Sequence, residues 1–254
     1  MLSGYEIALA GIAAIAAGMI NALAGGGTLV SFPALLALGV PDIAANITNT
    51  VALCPGYLGG AIAQREDLRG QRRRLWLLVP AGIIGGIAGS VLLIVASEQV
   101  FHILIPFLIL LAALLLAVQD RVRDWVRKRS HRTGSRGVGS KIVLPVGLAA
   151  VYGGYFGAGM SVIVLAVLGL FFDDTLTRLN ALKQCISLSI NVAAAAFFLF
   201  SGIVLWPLAL VMATGALAGG IVGGEVAGRI NPDLLRWTVV VISSAVGILL
   251  LVRQ

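Results

Sequence analysis

Seven stretches of this chain, 7–41, 43–64, 75–97, 99–119, 142–172, 184–224 and 237–252, contain no Asp, Glu, Lys or Arg. Crossing the hydrocarbon core of a bilayer takes about 20 predominantly apolar residues in α-helix, and most of these runs are that long. A water-soluble domain carries roughly 25% charged residues, whereas here 11% are charged and 59% hydrophobic. So few charges cannot clothe a soluble surface. The expected class is an all-α polytopic membrane protein, which excludes a soluble enzyme, a secreted disulfide scaffold and a single-span receptor. Barrel strands alternate between apolar and polar residues, and these runs do not.

Charges and turn residues cut the chain into ten apolar segments. Eight are long enough, or nearly so, to span: 5–24, 43–64, 75–96, 100–118, 142–158, 179–200, 203–224 and 234–252. Two are short, 28–40 and 160–172. At 1.5 Å per residue a 13-residue helix reaches about 20 Å against a core of about 30 Å, so these two are expected to stop inside the membrane. Each follows a glycine-rich break, Ala24-Gly25-Gly26-Gly27-Thr28 and Gly157-Ala158-Gly159-Met160-Ser161. The N-terminus has no Lys or Arg ahead of its apolar run and reads as a retained first helix.

The order long, short, long, long, long occurs twice. A shift of about 131–134 positions lays Gly25-Gly26-Gly27 on Gly157-Ala158-Gly159, Asn49 and Cys54 on Asn180 and Cys185, and Gly85-Gly86-Ile87-Ala88-Gly89 on Gly219-Gly220-Ile221-Val222-Gly223. The common offset predicts a duplication, and charge orients its halves. Thirteen of the 18 basic residues lie in 65–74 and 121–141, two spans apart and therefore on one side, which the positive-inside rule makes cytoplasmic. The counterpart of 65–74, around Ser201-Gly202, is uncharged, as an outside loop should be. The expectation is an inverted repeat with both termini outside, divided as 1–118, a basic cytoplasmic loop 119–141, and 142–254. Arg121 to Arg132 would also attract anionic lipid headgroups; nothing resembles a nucleic-acid module.

Broken helices in inverted repeats place transporter sites near the midplane. A helix that starts inside the membrane presents unpaired N–H groups and about half a positive charge, so an anion is the natural occupant. The candidate binding residues are Gly26, Gly27 and Thr28 at one start and Gly159, Met160 and Ser161 at the other. Asn49, Asn180, Lys183 and Gln184 add polar groups on the helices that follow. Lys183 has no charged twin in the first half. It is open to three readings: contact with substrate, snorkelling, or a pair with Asp173 or Asp174. His102 and the group Glu225, Arg229, Asp233 and Arg236 read as interfacial side chains and a short loop. Gly82, Gly86, Gly215, Gly219 and Gly223 have the spacing of close helix packing. Cys54 and Cys185 lack any metal-ligand or redox spacing. No nucleophile elbow and no P-loop is present, so neither an enzyme nor a cofactor is expected. A passive anion channel, or a scaffold docking a partner through the basic loop, is the alternative.

At these residues the chain resembles the TauE/SafE family of sulfite exporters and organosulfonate permeases. The likeness rests on Gly25-Gly26-Gly27-Thr28-Leu29, Pro33, Leu35-Leu36, Gly39-Val40-Pro41, Ala44 and Thr48-Asn49. In the second half it rests on Gly157-Ala158-Gly159, Asn180-Ala181-Leu182-Lys183, Ser201-Gly202 to Trp206-Pro207 and Gly219 to Gly223. The second glycine turn departs from the first in lacking Gly-Gly-Gly-Thr. The resemblance implies a secondary transporter of sulfite or a small organosulfonate in a bacterial cytoplasmic membrane, coupled to an ion gradient of H+ or Na+. It leaves the oligomeric state open.

Overall fold

The computed structural model describes residues 3–23, 26–129, 140–226 and 232–253. Among them every regular element is helical: α1 (Gly4–Leu23), α2 (Thr28–Ala37), α3 (Asp42–Ala63), α4 (Arg72–Val95), α5 (Glu98–Arg129), α6 (Val143–Tyr155), α7 (Met160–Phe171), α8 (Leu176–Leu199), α9 (Trp206–Val226) and α10 (Pro232–Arg253). These are the ten segments expected from charge and glycine placement. Six of them, α1, α4, α5, α8, α9 and α10, are both long and apolar enough to cross a membrane. α3 is long but carries Asn46, Thr48, Asn49 and Thr50 in its first half.

Two expectations need correction. The segment 142–158 does not form one near-spanning helix, because α6 is only 13 residues long and ends where Gly157 and Gly159 take positive φ. The basic stretch after 118 is not all loop either. α5 runs on to Arg129, since Arg, Lys and Asp are tolerated in an exposed helix once it leaves the apolar layer. Residues 130–139 lie outside the described set.

Helices pair across the two halves of the chain. α1 packs on α9, α4 on α6, α3 on α8 and α9, α8 on α4, and α5 on α10. Glycine makes the tightest seams. A Cβ on Gly18 would lie 2.1 Å from the Ala216 carbonyl oxygen, and one on Gly219 would lie 2.0 Å from that of Ile15. On the other seam, a Cβ on Gly89 would meet the Val151 oxygen at 2.0 Å and one on Gly154 the Gly86 oxygen at 2.0 Å. Only bare backbone permits such approach. The contacts also show that α1 runs parallel to α9, and α4 to α6.

One face of the molecule gathers the basic residues. Arg74 pairs with Asp174 at 2.5 Å, Gln71 donates to the Arg178 carbonyl at 3.0 Å, and Arg178 donates to that of Arg69 at 3.1 Å. Arg236, read from sequence as part of a loop, is instead a buried α10 residue paired with Asp120 and Asp233. Glu225 and Arg229 are not among the described side chains. The opposite face holds the starts of α3, α5 and α9, joined by Ile43 N–H to Glu98 at 3.1 Å and Leu205 N–H to Thr48 at 3.1 Å. His102, expected to be a solitary interfacial side chain, meets Asp42 there at 2.6 Å.

The outer surface is apolar and ringed by aromatics. Trp76, Trp125 and Trp237 are exposed near the basic face, and Tyr5 and Trp206 near the other. Between them Ile84, Leu92, Ile103, Phe107, Leu148, Leu210 and Ile248 are exposed as well. Amphipathic rings at two levels with aliphatics between is the pattern of a bilayer-embedded protein.

Candidate functional site

Both glycine breaks turn the chain back inside the protein. At the first, Gly26 has φ +89°, and Gly27 caps α2 where a Cβ would lie 2.3 Å from the Ala17 oxygen. Asn21, which sequence reasoning did not single out, accepts from the Gly27 N–H at 3.3 Å. Within the first turn Leu29 N–H bonds to the Gly26 oxygen at 2.9 Å, and Val30 and Ser31 bond to that of Gly27 at 3.0 and 3.1 Å. At the second break Gly159 has φ +74°. Tyr152 donates to the Ala158 oxygen at 2.7 Å, Met160 N–H to that of Gly157 at 3.2 Å, and Val162 N–H to that of Gly159 at 3.0 Å.

Among the described residues one backbone N–H at each start is left over. Neither the Thr28 nor the Ser161 amide has an acceptor among them, and neither hydroxyl has a partner. Both residues are half-buried between buried neighbours, Gly27 and Leu29 on one side, Met160 and Val162 on the other. The two starts also lie against the same turn of α5. A Cβ on Gly26 would be 3.0 Å from Leu116, and one on Gly159 would be 3.1 Å from Leu115. Nearby, the rings of Phe32 and Phe156 meet edge to face, 5.3 Å apart.

The remaining candidates fall elsewhere. The Met160 side chain packs on Gly153 in the core, and its N–H is already used. Asn180 donates to Gln64 at 2.9 Å near the basic face. Gln184 is half-buried beside it. Lys183 is buried and has no hydrogen bond or ion pair among the described residues. Asp174 is instead taken by Arg74 and Arg178. The charged group acting on Lys183 is a second cation, Arg123 of α5, about two turns beyond Leu116 toward the basic face. Asn49 is buried on α3 with its Oδ1 unpartnered. Three further unpartnered oxygens sit on these same packed helices: Asn46 Oδ1 on α3, and Ser187 Oγ and Asn191 Oδ1 on α8. Sequence reasoning did not single them out, since a single Asn or Ser in an apolar run does not change its class.

At the basic face Asp174 ties α4 to α8, and Arg74 also stacks on Phe172 at 4.3 Å. Burial works to raise the Asp174 pKa, but hydrogen bonds from Arg74, the Thr175 amide and Arg178 outweigh it and hold the carboxyl below its ordinary range. The folded value being lowered, this clasp stabilises fully above the ordinary carboxylate range and is lost as pH falls through the folded value. Asp174→Asn is expected to cost about 1–3 kcal/mol at neutral pH. Thermal unfolding followed from about pH 7 to about pH 3 should show the gap to wild type closing; an unchanged gap would refute the clasp.

The sulfite exporter TauE/SafE family model matches residues 10–250, nearly the whole chain. The chain belongs to the TauE/SafE family. A probable membrane transporter protein of Haemophilus influenzae is 28% identical over 227 residues, 89% of this chain and 87% of the relative. Another, ORF9 of a Sinorhizobium species, is 27% identical over 98% of this chain and 94% of its own length. The Escherichia coli K12 protein YfcA, also a probable membrane transporter protein, is 25% identical over 99% and 91%. No solved structure matches the chain. With family, relatives and apolar helices in agreement, this TauE/SafE member is a multi-pass membrane transporter.

Proposed function

We propose that the chain carries sulfite or a small organosulfonate across a bacterial cytoplasmic membrane by alternating access, without enzymatic activity. The observation that carries this is the matched pair of first-turn amides at Thr28 and Ser161 that meet no acceptor among the described residues, each with a hydroxyl that has no partner among them. Anions are favoured at helix starts by the dipole and by unpaired donors. Gly26, Gly27 and Gly159 keep side chains away from that point, and Met160 enters only as the residue that begins α7. Lys183, between Asn180 and Gln184, is a buried cation without a counter-ion among the described residues; with Arg123 it forms an anion-attracting approach from the basic face. Asn49, buried on α3 with its Oδ1 unpartnered, would complete the shell.

The pairing of helices supports an inverted repeat. Mapping α1–α5 onto α6–α10 turns the α1–α9 seam into the α6–α4 seam and leaves α3–α8 and α5–α10 as pairs across a two-fold axis. The excess of Lys and Arg makes the basic face cytoplasmic, with both termini outside. The preference for sulfur rests on the family's name, while the preference for an anion rests on the geometry.

A panel of sulfite, short sulfonates and small carboxylates tests the reading on purified protein and in proteoliposomes. Sulfite or a sulfonate is expected to raise the melting temperature and to move with saturation and counterflow. Thr28→Val with Ser161→Ala should weaken binding about tenfold or more, one charge-assisted hydrogen bond being lost at each start. Unsaturable flux would make the protein a channel, and a panel without any binder would end the anion reading.

A further inference from the structure

Asp42, Asn46 and Asn49 recur at i, i+4 and i+7 and so share one face of α3. Asp42 stands at the non-basic face beside His102, with Glu98 bonded to the neighbouring Ile43 amide. One turn inward Asn46 is 1% exposed, and its Nδ2 donates to the Tyr155 carbonyl at 2.8 Å. That bond fixes the amide orientation: the nitrogen faces the carbonyl, so the atom that no donor reaches is Oδ1. A further turn inward Asn49, also 1% exposed, has its Oδ1 unpartnered too.

Asn46 is thereby moored to the last residue of α6, the C-terminal end of a helix that stops inside the protein. Such an end carries partial negative charge and leaves carbonyls without intrahelical donors. The next residue, Phe156, is buried, and among the described residues no donor meets its carbonyl. Two elements joined by the Asn46–Tyr155 bond thus each present oxygens that no donor meets among the described residues, which suits a hard cation. No carboxylate belongs to the set, so one positive charge fits better than two. A proton does not fit, because amide and peptide oxygens do not titrate in the ordinary range. Side chains one turn apart have Cβ atoms about 5–6 Å from each other, a spacing that closes on a small ion.

We infer that the Oδ1 atoms of Asn46 and Asn49, with the broken end of α6, form a sodium-ion site reached past Asp42. The site stands on these oxygens alone; its coupling to an anion rests on the transport reading above. Asn49 links the two, since one amide offers an oxygen to a cation and a nitrogen donor to an anion.

The test is thermal unfolding and isothermal titration of the purified full chain in sodium, potassium and choline chloride, without any sulfur oxyanion. Sodium is expected to raise the melting temperature progressively with concentration and to give saturable heat, with potassium and choline inert. Asn46→Ala and Asn49→Ala should each weaken the apparent sodium affinity about tenfold or more. The wild-type titration keeps the test decisive if a variant does not fold. Equal behaviour in all three salts, or an undiminished sodium response in both variants, overturns the site. Sulfite binding measured in choline chloride reads the anion site separately. Its presence without a sodium effect sinks this inference alone, and a sodium effect without any anion binding sinks the transport reading alone.

Discussion

Replacing Gly89 with valine is expected to leave almost no folded protein. The first atom of the new side chain would lie 2.0 Å from the Val151 oxygen and 2.8 Å from the Tyr155 nitrogen. Both are backbone atoms, so no flexible side chain stands by to yield. Overpacking a core costs about 1–3 kcal/mol where side chains can adjust and more against rigid backbone, within a total stability of about 5–15 kcal/mol. The α4–α6 seam would have to part, and α6 is the helix that delivers the second break to its position. Gly147 on the same helix is the control. A Cβ there meets nothing within 4 Å, so Gly147→Ala should be neutral or stabilise by up to about 1 kcal/mol. The monodisperse fraction in detergent and the melting temperature read both variants. A Gly89→Val protein that melts like wild type would show that this seam is not what holds the halves together.

Lys183→Met is expected to do the reverse, giving a more stable protein that transports poorly. A buried cation whose charged neighbour among the described residues is another cation, Arg123, is held against its preference for water. A charged side chain inside a span costs about 2.5–3.5 kcal/mol at the centre and less near an end. Methionine keeps the length without the charge and is expected to raise the melting temperature by about 2–4 °C for each kcal/mol relieved. Anion affinity should fall about tenfold to a hundredfold if the ammonium meets the substrate on its way to the central site. Gain of stability with loss of function is the mark of a residue kept for its chemistry. A variant that transports normally would return Lys183 to a snorkelling role.

The ten helices were legible because their bounds are written in charges and glycines. The expected 5–24 and 179–200 became Gly4–Leu23 and Leu176–Leu199. The errors have one cause each. α6 ends early although its sequence stays apolar through residue 158, because a left-handed glycine stops a helix without any change in hydropathy. α5 continues past residue 118 because charge ends a membrane layer without ending a helix. What joins distant residues was not legible at all. His102 and Asp42 are 60 positions apart and Asn46 and Tyr155 are 109, and no spacing rule reaches that far. The duplication pointed to the two breaks as corresponding places. It gave no sign that Asn180 would be spent on Gln64, or that Asn46 and Asn191 would carry free oxygens.

The seam between α1 and α9 has a consequence for how the molecule is made. α1 leaves the ribosome long before its tightest neighbour, since α1 ends at residue 23 and α9 begins at 206. At about 5–20 residues per second, α1 waits roughly 10–40 s in the lipid with its glycine groove uncovered. The α1–α9 seam therefore closes only once α9 has been made, by the capture of a helix inserted well before it. Truncations before α9 should accumulate as insertion-competent but unassembled chains, and the two halves made as separate polypeptides should find each other only when produced together.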